Sequence, residues 1–167
     1  MTNKALSEAL TMALGFEKKG RKLYEEVSAS TSNEIVKRTF SYLARQEDFH
    51  VQEIRKYMDG KGIELSGDGQ HETRQFFMAT IEEYRQKASL SHDDITAHET
   101  ALELERQSHN FYHQQYLVAK EPEIKQFFEF LMKQEKAHYE LLDKTLQYIR
   151  DPVSFFQKSE DSIFEGG

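Results

Sequence analysis

Two copies of one short pattern limit what this chain can fold into. Glu47-Asp48-Phe49-His50 and Glu135-Lys136-Ala137-His138 each hold a Glu and a His three residues apart, and the copies are 88 residues apart. On a helix, residues three apart lie on one face, so each pair can reach one point. A single copy would carry little weight, because Glu and His at that spacing recur by chance. The same offset, however, aligns Glu17 with Glu105, Leu23 with Phe111, Tyr24 with Tyr112, Val36 with Ile124 and Lys37 with Lys125. It also aligns Phe40 with Phe128, Leu43 with Leu131, Gln46 with Gln134, and Ala13-Leu14 with Ala101-Leu102. The chain is an internal duplication of a helical hairpin.

The spacing makes a geometric prediction. Glu17 and Glu47 are 30 residues apart, as are Glu105 and Glu135. The midpoints, Ser32 and Lys120, fall in turn-like stretches, Ser30-Thr31-Ser32-Asn33 and Lys120-Glu121-Pro122. In an antiparallel hairpin, residues equidistant from the turn sit at one level. Glu17 then faces the level of Glu47 and His50, and Glu105 that of Glu135 and His138. Packing the two hairpins together brings four Glu and two His into one layer. A Glu from each of two helices, with Glu-x-x-His from each of the other two, is a ligand set for two metal ions in a four-helix bundle.

Composition excludes several other readings. The 167 residues are enough for one domain with a real core and contain no Cys. Disulfides, thiolate-held iron sites and thiol catalysis are therefore out. Net charge is −7 with both signs interspersed, which disfavours a nucleic-acid partner. No stretch approaches the apolar length of a spanning helix, and the N-terminus lacks the apolar run of a signal peptide. The expected location is cytoplasmic, with no membrane partner. Only two prolines, Pro122 and Pro152, interrupt a chain rich in Glu, Lys, Gln, Leu and Ala, which suits helix.

In chain order, the first helix is expected over about Lys4 to Ser28, with Leu6, Leu10, Ala13, Leu14, Tyr24 and Val27 on one stripe. Glu17 interrupts that stripe, which is costly unless it is paired or metal-bound. Gly20, one turn on, keeps the face small. It leaves room for a metal, a small oxidant or a neighbouring helix, or simply permits close packing. The second helix is expected from Asn33 to Met58, capped by Ser32 or Asn33. Asp59-Gly60-Lys61-Gly62 stops it, and Ser66-Gly67-Asp68-Gly69 continues a hinge loop. A shorter helix over Glu72 to Ala88, with Phe77, Ile81, Tyr84 and Ala88 on one side, covers the bundle or serves an interface. Ser91 or Asp93 caps the third long helix, which runs to about Ala119. The fourth opens at Pro122 and ends at Asp151-Pro152. The tail carries Phe155, Phe156, Ile163 and Phe164, which are expected to dock on the bundle or on a second subunit. His92, His98, His109 and His113 read as exposed, although His109 and His113 are spaced to hold an adventitious zinc.

The blocks Glu17-Lys-Lys-Gly20-Arg-Lys-Leu-Tyr24 with Glu47-Asp-Phe-His50, and Glu105-Arg-Gln-Ser108-His-Asn-Phe-Tyr112 with Glu135-Lys-Ala-His138, resemble the rubrerythrin branch of the ferritin-like superfamily. The resemblance covers about residues 5–150. It implies an all-α, ferritin-like four-helix bundle of two duplicated hairpins, about 4–58 and 93–150. A crossover of 59–92 holds the extra short helix, and a tail of 151–167 follows. It implies that Glu17, Glu47, His50, Glu105, Glu135 and His138 bind two Fe ions, with Mn or Zn as alternatives, and that at least one Glu bridges them. Tyr24 and Tyr112 match a pair of tyrosines whose hydroxyls can hold a ligating carboxylate. The chain departs from the classical pattern twice. Ser108, with Gly20 as its duplicate, stands where an extra carboxylate takes part in a redox-linked ligand shift, and the four-Cys rubredoxin domain is missing.

The function implied is a di-iron oxidoreductase that reduces peroxide or dioxygen, or oxidises ferrous iron. A separate electron donor would supply it, and a homodimer is expected. The alternatives are an iron-handling protein without significant turnover and a structural bundle. A bundle without metal is the weakest reading, because four buried carboxylates repel one another.

Overall fold

A computed structural model describes residues 1–61, 69–84 and 90–157. Four long helices form two hairpins: α1 (Asn3–Ser30) with α2 (Glu34–Met58), and α4 (His92–Val118) with α5 (Pro122–Arg150). Between them lies the shorter α3 (Gln70–Tyr84), and residues 152–157 form a last short helix, α6. No strand occurs among the described residues, and no helix there is long and apolar enough to cross a membrane. The fold is the all-α bundle of two hairpins that the duplication implies, in the ferritin-like arrangement that the resemblance implies.

Local chemistry sets the helix ends. Thr2 caps α1 by accepting from the Ala5 amide at 3.1 Å. Asn33, not Ser32, caps α2, its Oδ1 accepting from the amides of Ile35 and Val36 at 3.0 and 3.1 Å. Ser91, not Asp93, caps α4 through a reciprocal capping box with Asp94. Such caps satisfy amides that the first turn leaves without helical partners. The other Asp94 oxygen accepts from the Thr31 hydroxyl at 2.6 Å, tying the first hairpin's turn to the start of the second hairpin. Proline begins α5, where its missing N–H costs nothing.

The duplication is visible in the core. Tyr24 and Tyr112, Phe40 and Phe128, Leu43 and Leu131, and Ala13 and Ala101 are all fully buried. Each aligned position therefore points inward in both hairpins. Helix α1 packs on α2 and α4 on α5, while α1–α4 and α2–α5 contacts join the hairpins. Helix α3 lies across α2 and α5. It buries Phe77 and Ile81 in the same core as Tyr148 and Leu146, so the crossover helix covers the bundle. The expected stripe residue Ala88, the loop residues Ser66 to Asp68, and Ile163 and Phe164 of the tail lie outside the described residues. Phe155 packs edge-on against Phe77 and Tyr148, each at 5.6 Å between ring centroids, and Phe156 meets Tyr148 at 5.7 Å. This first part of the tail docks on its own bundle.

Candidate metal centre

Each long helix sends carboxylates into one layer at mid-bundle: Glu17 from α1, Glu47 from α2, Glu105 from α4 and Glu135 from α5. His50 and His138 lie one turn after their Glu on α2 and α5. All six residues are buried, with at most 2% of their surface exposed. His50 Nδ1 is 3.1 Å from Glu17 Oε2, 3.6 Å from Glu47 Oε2 and 3.7 Å from Glu135 Oε1. His138 Nδ1 is 3.4 Å from Glu47 Oε1, 3.6 Å from Glu105 Oε1 and 3.8 Å from Glu135 Oε1. The two imidazoles stack, with centroids 5.3 Å apart and planes at 17°.

This geometry divides the carboxylates into two kinds. Glu17 is near His50 and Glu105 near His138, one on each side. Glu47 and Glu135 are near both imidazoles and occupy the middle. Ligand atoms of Glu47, His50, Glu135 and His138 all fall within 4.8 Å of one another, a grouping able to hold a metal ion.

The electrostatics suit a bound cation. Among the described residues no Lys or Arg pairs with any of the four carboxylates; their only ion-pair partners are the two imidazoles. Burial, reinforced by the neighbouring carboxylates, pushes Glu47 and Glu135 well above the usual carboxylate range. Burial also pushes Glu17 up, but hydrogen bonding from Glu47, the adjacent His50 and the Tyr112 hydroxyl outweigh it and hold Glu17 down at about 2. Several donor atoms face one another without bonding. Glu47 Oε2, Glu105 Oε2, Glu135 Oε1 and both ring nitrogens of His138 have no hydrogen-bond partner among the described residues. Buried polar atoms left this way are costly. Oxygen and imidazole donors that converge without bonding fit divalent iron, manganese or zinc.

The tyrosines cross between hairpins. Tyr24 of α1 donates to Glu105 of α4, and Tyr112 of α4 donates to Glu17 of α1. Burial and the adjacent carboxylates push both phenols well above their ordinary value, so they stay protonated and remain donors.

Several contacts around the centre were not foreseen from the sequence. The Ser108 hydroxyl donates to Glu135 Oε2. Its duplicate, Gly20, offers no donor; a Cβ there would lie 3.4 Å from Glu47 Cδ. Gln134 Oε1 lies 3.4 Å from His50 Nε2, the outward nitrogen of an imidazole whose other nitrogen faces the carboxylates. The aligned pair Gln46 and Gln134 was the available signal for this contact. Gly69 of the crossover, at φ +76°, backs Gln134 so closely that a Cβ would fall 2.9 Å from its Oε1. Asp48 and Glu53 take no part: Asp48 pairs with Arg21 and Gln52, and Glu53 with Lys56.

One expectation about the other histidines is overturned. His98 is completely buried, not exposed, with Nδ1 2.7 Å from the Asp94 carbonyl and its ring edge-on to Phe40 at 4.9 Å. The duplication offset places His98 opposite the core residue Leu10, and that alignment was the missed signal. His92 is exposed, and the rings of His109 and His113 stand 6.5 Å apart with no acidic partner grouped beside them among the described residues. A cavity of about 610 Å³, lined by Leu6, Leu10, Tyr57, Lys61 and Glu123 among others, includes none of the six centre residues.

The family model described as Rubrerythrin matches residues 8–146. Comparison with curated proteins and with solved structures gave no match.

Proposed function

Because the chain belongs to the rubrerythrin family, within the ferritin-like di-iron superfamily, we propose that it is a di-iron oxidoreductase that reduces peroxide or dioxygen, with ferrous iron or a separate donor supplying electrons. The observation that carries this reading is the convergence of four buried carboxylates and two imidazoles, five of whose polar atoms have no hydrogen-bond partner among the described residues. Glu17 and His50 would hold one ion, Glu105 and His138 the other, and Glu47 and Glu135 lie where both ions can share them. Two irons held by these residues would supply the two electrons that reduce a small oxidant.

The chain's own residues set the conditions for that chemistry. Tyr24 and Tyr112 fix Glu105 and Glu17 across the hairpins and keep their phenolic protons. Phe40, Phe128, Leu43 and Leu131, all fully buried, exclude bulk water and strengthen the electrostatics inside. Gly20 keeps the wall beside Glu47 free of side chain, so Glu47 can change orientation. In this reading electrons come from ferrous iron or from a separate donor.

One observation favours a second reading, an iron-handling protein without significant turnover. Ser108, not a carboxylate, stands beside Glu135, so a ligand shift at that position has no ligand to shift to. The experiment that separates the readings loads the protein with ferrous iron without oxygen and adds substoichiometric peroxide or dioxygen. Fast optical change followed by repeated turnover with an added reductant supports the oxidoreductase. Iron taken up and released with no catalytic consumption of oxidant supports handling alone.

A further inference from the structure

The duplicated sequence treats the two metal positions as equals, but their surroundings differ. At the first position the ligands are already satisfied. Glu17 Oε1 accepts from Tyr112, and Glu17 Oε2 lies 3.1 Å from His50 Nδ1. The other nitrogen of His50 meets Gln134, itself backed by Gly69. At the second position, Glu105 Oε1 accepts from Tyr24. Its Oε2 and both nitrogens of His138 have no hydrogen-bond partner among the described residues. The central carboxylates are also unlike. Ser108 holds Glu135 Oε2 and leaves Oε1 bare, facing both imidazoles. Glu47 is met by no side-chain donor at the aligned Gly20 and spreads its two oxygens toward the two imidazoles.

We propose that the two metal positions fill in order: the first ion enters between Glu105 and His138, and the second between Glu17 and His50. The inference rests on reading the cluster as a two-metal site. An ion between Glu105 and His138 gives partners to two buried atoms that have none, Glu105 Oε2 and one ring nitrogen of His138, and breaks no hydrogen bond. An ion between Glu17 and His50 gains no orphaned atom from those two residues and must displace the hydrogen bond between them. Unpartnered buried atoms and a broken charge-assisted hydrogen bond each act in the same direction, so the first step is about tenfold or more tighter than the second. Ser108 supports the first step by presenting Glu135 Oε1 in a fixed orientation.

The test uses the full-length metal-free protein and Zn²⁺ alone. Histidine ring nitrogens are labelled with ¹⁵N and followed by NMR during titration, with assignments from His50→Gln and His138→Gln. With one equivalent added, the His138 signals move and the His50 signals keep their metal-free positions; the His50 signals then move between one and two equivalents. Movement of His50 first, or of both in proportion throughout, overturns the order while leaving a two-metal site intact. No movement of either in excess zinc overturns the two-metal reading itself. If neither variant folds, a crystal of the wild-type chain with one equivalent of zinc decides by anomalous scattering. Density beside His138 supports the order, and density beside His50 or equally at both positions refutes it.

Discussion

The first hairpin and the second carry the same scaffold and finish it differently at the centre. Phe40 matches Phe128, Leu43 matches Leu131, and Tyr24 matches Tyr112, all fully buried. The ligands match as well, and the tyrosines reach across to each other's hairpin. The hairpins part at small or neighbouring positions. Gly20 faces Glu47 where Ser108 bonds Glu135. Gln134 holds His50, while His138 has no such partner among the described residues. His98 fills the core position that Leu10 fills in the first hairpin. Packing fixes the backbone and ligand directions, so it constrains both copies alike. The groups that touch the ligands cost little to exchange, and there the copies have diverged.

The largest break in the symmetry should come from separating shared from private carboxylates. Glu47→Ala or Glu135→Ala removes a residue that both imidazoles face and is expected to lose both ions. Glu17→Ala or Glu105→Ala is expected to lose one. Metal analysis after anaerobic reconstitution reads this directly, and equal losses in all four variants would contradict the division.

The tyrosines test the part of the comparison that is conserved between halves. Tyr24→Phe and Tyr112→Phe each remove a buried donor to a carboxylate, so each should lower metal-free stability by about 1.5–3 kcal/mol. Urea unfolding measures both, and the two values should agree closely. A large difference would show that one cross-hairpin contact matters less than the geometry says.

Ser108 and Gly20 test the part that has diverged. Ser108→Ala should weaken metal binding about tenfold or more, in the range seen when a ligand loses its supporting hydrogen bond. Gly20→Ser places a Cβ in ordinary contact with the Glu47 carboxyl group and adds a hydroxyl like that of Ser108. Calorimetric titration should show the two halves becoming more alike in Gly20→Ser, and no change in either variant would mean position 108 does not set the difference.

The smallest effect concerns His98. Burial holds its imidazole below the ordinary value of 6.5, so the folded protein keeps it neutral. That contribution to stability is present above about pH 6.5 and is lost as pH falls through the folded value. His98→Leu, matching Leu10, should flatten the loss of thermal stability between pH 7 and pH 5 relative to wild type. An unchanged slope would show that His98 is not protonated across that window on unfolding.

Much of this molecule was legible in the sequence because the duplication repeats ligands and core residues together. The turns around Ser32 and Lys120 set the level of Glu17 with His50, and the long helices begin and end within a few residues of where caps and prolines place them. What was not legible depends on how the hairpins are rotated against each other. Tyr24 bonding Glu105 joins residues 81 apart, and no local pattern says which tyrosine serves which carboxylate. Ser108 looked like a missing ligand; only the approach of α4 to α5 shows it holding one. Gly69 backing Gln134 depends on the path of the crossover, which loop composition does not give. The burial of His98 follows from its alignment with the core residue Leu10, which the character of an isolated histidine does not reveal.

The central claim is that the buried Glu and His layer holds two metal ions. The most direct test is the metal content of the full-length protein after anaerobic reconstitution with ferrous iron and removal of excess, beside Glu47→Ala treated the same way. The account predicts about two irons per chain in the wild type and essentially none in the variant, with both proteins equally helical by circular dichroism. A folded wild-type chain that retains no iron, or a variant that retains as much as wild type, would contradict it.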